Sequence, residues 1–222
     1  IIMKKLGILL MLAMSIYQVN AAGDGVRDHI QYGFKVGANL SNVYSVSGQS
    51  FIADPKFGLA VGGFTSIPLG KLFAFHPEIL FSQKGFNASG VMLGNPYTIS
   101  NRLNYLDIPL MGEFRPADFL NILLGVQYSY LLSQKYTFDN GTTTAEQITI
   151  FKNENINRNT FSITGGADVN LMNVVLGVRL AWDMTSHNGD GTSVTPNYKN
   201  VWYQATIGYR FIHNHKQKSA KK

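Results

Sequence analysis

Nine charged residues stand at polar positions of segments in which polar and apolar residues alternate, and side chains placed in this way could do ion or proton chemistry. They are Lys35, Glu78, Lys84, Asp107, Glu113, Asp168, Arg179, Asp183 and Arg210. The functional interpretation is an ion-selective pore or a proton-active pair. The structural interpretation is a nearly neutral network of ion pairs in a lumen. We favour the network, because an unpaired buried ion costs several kcal/mol.

A second group of residues raises the possibility of hydrolysis. His76 and Glu78 lie two residues apart on one predicted strand, and Ser82 lies four residues after Glu78 on the same face. Nucleophilic catalysis needs a nucleophile, a base and an orienting group within hydrogen-bond reach. Four residues span roughly 13 Å along a strand, and no motif marks a nucleophile. We therefore expect no enzymatic activity.

Metal and cofactor sites have little support in this sequence. The chain contains no cysteine, which excludes disulfides, thiolate-bound zinc and a thiol nucleophile. His213 and His215 share a face and could bind a metal weakly, but a solvated tail explains them better. We expect neither a metal nor a cofactor.

Eight segments with a period of two position the charged residues. The clearest runs from Leu120 to Tyr130 and has one apolar face, as expected of a strand. The predicted strands cover residues 31–44, 56–67, 72–84, 102–115, 119–135, 159–170, 174–186 and 200–212. Because the opposite face combines charges with small residues, we expect the apolar face to contact lipid. The alternative is a soluble eight-stranded barrel such as a lipocalin, with its apolar face inside.

The predicted connections alternate between short and long. The short ones cover residues 68–71, 116–118 and 171–173, and the long ones 45–55, 85–101, 136–158 and 187–199. Short periplasmic turns and long extracellular loops are typical of outer-membrane barrels. The predicted fold is therefore all-β, an eight-stranded antiparallel transmembrane up-and-down β-barrel with both termini in the periplasm. Loops 85–101 and 136–158 could bind a partner, although no residue in them indicates which one.

The two ends of the chain indicate export. Lys4 and Lys5 precede an apolar run from Leu6 to Ile16, and a small-residue cleavage rule fits Ala21. We expect a cleaved signal peptide over 1–21, a periplasmic segment over 22–30, a barrel over 31–212 and a basic periplasmic tail over 213–222. Six lysines at these ends equal the net charge of +6, so no basic face remains to bind nucleic acid.

Three stretches of the chain carry a family resemblance. They are His76–Gly85 (HPEILFSQKG), Asn104–Leu110 (NYLDIPL) and Gly33–Asn42 (GFKVGANLSN). Together they resemble the PorT-type outer membrane β-barrel family of Bacteroidetes, and the resemblance extends over about 31–212. It implies an eight-stranded outer-membrane barrel, and the founding member of that family is associated with type IX protein secretion. The chain departs from many outer-membrane barrels after Phe211, where a basic tail follows the last predicted strand.

These observations favour a non-enzymatic integral protein of the Gram-negative outer membrane with a structural or interaction role. The expected partners are outer membrane lipids, the barrel assembly machinery during biogenesis, and proteins that contact the long loops or the basic tail. Two alternatives remain open, an accessory component of type IX secretion and a narrow pore. An eight-stranded barrel is only wide enough for side chains to fill it, which argues against free conduction.

Overall fold

The computed structural model describes residues 28–45, 53–92, 95–141, 144–149, 157–185 and 198–211. The predicted signal peptide and basic tail lie outside these residues. The strands are β1 (Gln31–Ser45), β2 (Asp54–Pro68), β3 (Phe73–Met92), β4 (Asn95–Ala117), β5 (Leu120–Asp139), β6 (Thr144–Thr149), β7 (Asn159–Leu171), β8 (Val174–Asp183) and β9 (Tyr198–Phe211). In these described ranges no helix is long and apolar enough to cross a membrane.

Eight of the strands close into an antiparallel ring. The order around the ring is β4-β3-β2-β1-β9-β8-β7-β5, and pairing of β4 with β5 closes it. The first and last strands are joined by a register that runs from Tyr32↔Phe211 to Ser45↔Tyr198. Strand β6 is not part of the ring and pairs with the end of β5. The predicted eight-stranded antiparallel barrel is confirmed.

Alternation along β5 shows which face of the barrel points inward. Leu124 is 67% exposed, whereas the neighbouring Leu123 is 1% exposed. Asn121, Gln127 and Ser129 share the inner face with Leu123 and are buried. The apolar stripe therefore lies on the outside and the polar stripe inside, as predicted. A lipocalin-like arrangement, which would have the apolar stripe inside, is wrong.

Three short connections lie at one end of the barrel, which we call the turn end; the opposite end is the loop end. The turns cover residues 69–72, 118–119 and 172–173. In the last of them Met172 takes a left-handed conformation with φ of 56°, as tight hairpin turns require. Aromatic pairs, including Phe73 with Phe114 at 5.4 Å between ring centroids, surround the turn end.

The loop end differs from the prediction. Residues 85–101 are predicted to be a loop, but β3 and β4 continue through them as a hairpin with an unbroken register from Gly85↔Arg102 to Met92↔Asn95. Much of the predicted loop 136–158 is likewise strand, in β5 and β6. We call residues 85–92, 95–101, 134–139 and 144–149 the loop-end sheet.

The sequence of the loop-end sheet resembles that of a loop because it contains many Gly, Asn, Ser and Thr residues. Its signal is a weak alternation on the inner face, where Phe86 and Ala88 are buried against Val43 and Ile99. In the loop-end sheet, this small buried cluster is found in place of the apolar outer stripe of a strand that faces lipid. Continuous cross-strand pairing then extends the barrel wall.

Candidate functional site

The candidate site is the lumen of the barrel, where charged side chains from most strands meet. Eight of the nine predicted charged residues are buried, and Arg210 is half-buried near the turn end. Each comes from the inner face of its strand, as the two-residue alternation requires. The described contacts form three groups, which follow one another from the turn end toward the loop end.

The group nearest the turn end is centred on the carboxylate of Glu113. Arg115 Nε donates to Glu113 Oε1 at 2.7 Å, and Ser66 Oγ donates to Glu113 Oε2 at 2.6 Å. His76 Nδ1 also lies 2.7 Å from Glu113 Oε2. The His76 ring stacks on Phe64 with an interplanar angle of 8°. This group therefore ties β2, β3 and β4 together.

The middle group is centred on Glu78 and crosses the lumen. Lys35 Nζ lies 2.5 Å from Glu78 Oε2, and Arg179 Nη2 donates to Glu78 Oε1 at 3.3 Å. Arg179 also binds Asp168 through two hydrogen bonds of 2.6 and 2.9 Å. His76 Nε2 lies 3.1 Å from Glu78 Oε1 and connects this group to the turn-end group. Ion pairs thus link β1, β3, β7 and β8 across the barrel.

The third group surrounds the ammonium of Lys84. Lys84 Nζ donates to Asp107 Oδ1 at 3.0 Å and to Ser129 Oγ at 3.4 Å. The same ammonium lies 3.7 Å from the ring centroid of Trp202 and 4.7 Å from that of Tyr105. Aromatic faces attract a cation electrostatically, most strongly when water is excluded. Trp202 is 1% exposed, so this group fills the lumen as well as neutralising it.

Asp183 and Arg210 stand apart from these groups. Asp183 accepts hydrogen bonds from Ser162 Oγ at 2.6 Å and from Asn200 Nδ2 at 3.0 Å. Arg210 donates to Gln31 Oε1 at 3.0 Å and to the carbonyl oxygen of Met172 at 2.8 Å. The structure therefore brings seven of the nine predicted residues into ion pairs within the three groups. It places the other two among polar groups nearer the two ends.

Glycine leaves room for the middle group. A Cβ atom on Gly177 would lie 2.7 Å from Asp168 Oδ1, and one on Gly166 would lie 2.9 Å from Arg179 Cδ. Both distances are shorter than a normal contact with a side chain. These two positions must therefore stay small to leave room for the Asp168–Arg179 pair.

Two participants were not identified from the sequence. Arg115 stands at the end of its predicted strand, two residues after Glu113. This spacing puts both side chains on the same face, which is the sequence pattern that identifies Arg115 as a lumen residue. Trp202 lies on the polar face of β9, although its size and apolar character are more typical of the lipid-facing side. Its contact with the Lys84 ammonium is shown only by the distance between the two side chains in the folded barrel.

The arrangement around His76 differs from that of a hydrolase. Both ring nitrogens of His76 are directed at carboxylates, those of Glu113 and Glu78. Ser82, the candidate nucleophile, instead accepts a hydrogen bond from Asn39 Nδ2 at 2.8 Å. His76 and these carboxylates are buried inside the wall of the barrel. The geometry therefore supports a role for His76 in holding the carboxylates of Glu113 and Glu78 in place.

A small cavity lies beside the middle group. A cavity of about 10 Å³ is lined by Lys35, Asp168 and Thr206. That volume is close to the minimum that holds one water molecule. Within the described part of the chain, no group of three or more His, Cys, Asp or Glu residues could hold a metal ion.

Comparison with known proteins agrees with this architecture. Neisserial surface protein A gives a TM-score of 0.50 at 10% identity, covering 81% of this chain and 97% of that one. Ail, the attachment invasion locus protein of Yersinia pestis, gives 0.43 at 14% identity, covering 82% and 98%. The outer membrane protease OmpT of Escherichia coli gives 0.39 at 9% identity, covering 84% and 97%. At 10% identity, the likeness to Neisserial surface protein A shows the fold alone.

The comparison with curated proteins found no match. A family model described as the outer membrane protein beta-barrel domain matches residues 17–186, which is more than half of the chain. A closed antiparallel ring with an apolar outer face is the architecture that this description requires. The chain belongs to the outer membrane protein beta-barrel domain family.

Proposed function

We propose that this protein is a non-conducting, non-enzymatic scaffold of the outer membrane whose loop-end sheet contacts a partner protein. The observation that carries the proposal is the network centred on Glu78, which joins Lys35, Arg179 and His76 across the lumen. Because paired charges occupy the interior of the barrel, the surfaces that remain available for binding are the outer wall and the loop-end surface.

The packing of the lumen argues against the narrow-pore alternative. Ions cross a pore through connected water, and an eight-stranded barrel has an interior just wide enough for side chains. Here the middle group spans the lumen, and Trp202 with Lys84 fills the next level toward the loop end. Opening a path would separate buried ion pairs, which is strongly unfavourable.

The loop-end sheet is the surface best suited to a protein partner. It continues β3, β4 and β5 beyond the barrel ring, and β6 extends it sideways. Binding residues are often carried on segments held by a rigid scaffold. Rigid presentation lowers the entropy that binding costs. The outer face of the hairpin carries Ser89 and Thr98, which are both exposed.

A photo-reactive residue at Ser89, introduced into the intact cell, tests the interaction role directly. We expect illumination to produce an adduct with a protein at Ser89. The same residue at Leu124, which is 67% exposed on the lipid-facing side, should give no protein adduct. Absence of a protein adduct at Ser89 and at other exposed sites of the loop-end sheet would overturn the scaffold role.

The proposal includes an orientation, with the termini in the periplasm and the loop-end sheet outside the cell. Short periplasmic turns and longer outer loops are usual in such barrels. Because the chain has no cysteine, single cysteines can be introduced at Ser89 and Ser219. An impermeant thiol reagent should label Ser89→Cys in intact cells and Ser219→Cys only after permeabilisation. The reverse pattern would invert the orientation.

Assignment to the PorT-type group, with an accessory role in type IX secretion, is a second proposal. Its support is that two of the three motifs of the resemblance supply the Lys84 group and the centre of the middle group, with Glu78 and Lys84 from one and Asp107 from the other. Deletion of the gene followed by measurement of secreted cargo tests this role. Unchanged secretion would leave the scaffold proposal standing and remove the secretion role.

A further inference from the structure

The turn that follows β5 contains an asparagine next to a glycine, a pair that can react without an enzyme. Strand β5 ends at Asp139, and Asn140 and Gly141 come directly after it. In such a pair the backbone nitrogen of the glycine can attack the side-chain carbonyl carbon of the asparagine. Because glycine has no Cβ, nothing on that residue obstructs closure of the ring that forms. The loop end therefore carries a candidate modification site.

The conformation and surroundings of Gly141 leave room for this attack. Its φ of 79° lies in the left-handed region that glycine adopts readily. Gly141 is exposed, and among the described residues no atom lies within 4 Å of the place where its Cβ would be. The last register pair of β5 and β6 is Asp139 with Thr144. The peptide bond between Asn140 and Gly141 therefore lies outside the strand ladder and can rotate without breaking it.

The carboxylate of Asp139 lies where a general base would act. The backbone nitrogen of Gly141 donates a hydrogen bond to Asp139 Oδ1 at 2.8 Å. This nitrogen must lose its proton as it attacks, and a base about 2.6–3.2 Å away is close enough to accept that proton. Asp139 is itself exposed, so it can exchange protons with water. The turn thus places the nucleophile and a base in direct contact.

We propose that Asn140 is a site of spontaneous deamidation, with Asp139 as the base. The backbone nitrogen of Gly141 forms a bond with Asn140 Cγ while its proton passes to Asp139. The bond between Cγ and the side-chain nitrogen then breaks, and that nitrogen takes up the proton and leaves as ammonia. Water opens the resulting succinimide at either carbonyl carbon, which yields aspartate or isoaspartate. Water is consumed, ammonia is released, and nothing is oxidised or reduced.

Asn87 provides a comparison within the same sheet. It is followed by Ala88, and both residues are paired in the ladder of β3 and β4, Asn87 with Ser100. Its side-chain oxygen also accepts a hydrogen bond from Ser100 Oγ at 2.9 Å. Ring closure at Asn87 would have to break this pairing, so Asn87 should react far more slowly than Asn140. Asn188 also precedes a glycine, but it lies outside the described residues.

The reaction would change the charge of the loop-end sheet at the tip of its β5–β6 hairpin. A neutral amide becomes a carboxylate beside the carboxylate of Asp139, and like charges at short distance repel each other. Isoaspartate also lengthens the backbone by one carbon atom. A population of this protein should therefore acquire a more acidic form with time.

The test is timed incubation of the purified, folded full-length protein in detergent at mildly alkaline pH, in water enriched in heavy oxygen. Tryptic peptides are then measured by liquid chromatography and mass spectrometry. Asn140 and Asn87 fall on different peptides because Arg102 and Lys135 lie between them. We expect the Asn140 peptide to gain the mass of an Asn-to-Asp conversion with one heavy oxygen, in separate aspartate and isoaspartate forms. The Asn87 peptide should stay unchanged.

Variants at Asp139 test the base. D139A should deamidate at Asn140 about tenfold or more slowly than wild type, and D139E, which keeps a carboxylate, should recover part of the rate. The matched control T98A changes the exposed register partner of Asp139 and should react like wild type. The heat-dependent electrophoretic mobility of each barrel verifies that the variants fold.

The remaining outcomes would overturn the proposal. An unmodified Asn140 peptide, or equal conversion of Asn140 and Asn87, would show that the turn does not promote deamidation. A D139A rate equal to or above that of wild type would remove Asp139 as the base. An equally slow T98A would show that disturbance of the sheet, and not loss of the carboxylate, lowers the rate. None of these results depends on whether the loop-end sheet binds a partner.

Discussion

Glu78 illustrates what a single residue does in this barrel. Its carboxylate contacts Lys35, Arg179 and His76, which come from β1, β8 and β3. The period of two predicted that Glu78 would face inward, because alternation within a single strand decides on which side of the sheet a side chain lies. Its partners could not be predicted, because Arg179 is 101 residues away and their contact depends on how the closed ring aligns distant strands.

Replacement of Glu78 by Gln should strongly destabilise the barrel. The change removes the charge that Lys35 and Arg179 share and leaves both cations buried without it. Breaking a buried ion pair by removing one partner costs about 3–5 kcal/mol. Equilibrium unfolding in urea from lipid vesicles measures the change. Ser89→Ala, at an exposed position of the hairpin, is the matched control and should unfold like wild type; an equal stability of E78Q would contradict the network.

Arginine at Leu124 should also be costly, for a different reason. Leu124 is 67% exposed on the outer face of β5, so the new charge would enter the hydrocarbon. Near the middle of a bilayer the cost is about 2–4 kcal/mol, and it falls to about 0–1 kcal/mol near the interfaces. Phe73→Arg at the turn end is therefore the comparison, measured by the same unfolding experiment. Equal costs at the two positions would show that the outer face had been misassigned.

At the scale of elements, the strands that cross the membrane were easier to predict than those beyond it. Burial of one face against lipid and the other in the lumen imposes a strict alternation, as β5 shows between Asn121 and Ser129. Beyond the membrane both faces of a strand can be polar. The hairpin from Gly85 to Arg102 therefore resembled a loop in composition, although its backbone pairs continuously.

Shortening that hairpin should leave the barrel intact. Phe86 and Asn101 are register partners, so residues 87–100 can be replaced by an Asn-Gly turn, which suits a two-residue hairpin. We expect the variant to keep the heat-dependent electrophoretic mobility of a folded barrel, because the strand pairings between Phe86 and the turn end remain. A variant that fails to fold would show that the loop-end sheet is needed to form the ring.

At the scale of the whole molecule, closure of the ring combines strong local patterns with contacts that no local pattern encodes. The alternation, strand number and short turns predicted an eight-stranded antiparallel barrel, and the ring order and the family match confirm it. The lumen groups were predicted only as a set of inward charges. Arg115 pairs with Glu113 of its own strand, whereas Trp202 joined that set because strand stagger brings it to Lys84, which no single strand specifies.

Ion conductance across a planar bilayer tests the closed lumen most directly. With the purified barrel inserted and folded, we expect no conductance steps in concentrated potassium chloride. Trp202→Ala combined with Arg179→Ala removes two large side chains from different levels of the lumen, and this double variant should leak. Silent wild type beside a leaking variant is the predicted result. Reproducible conductance steps from the wild-type protein would contradict the closed lumen and favour a pore.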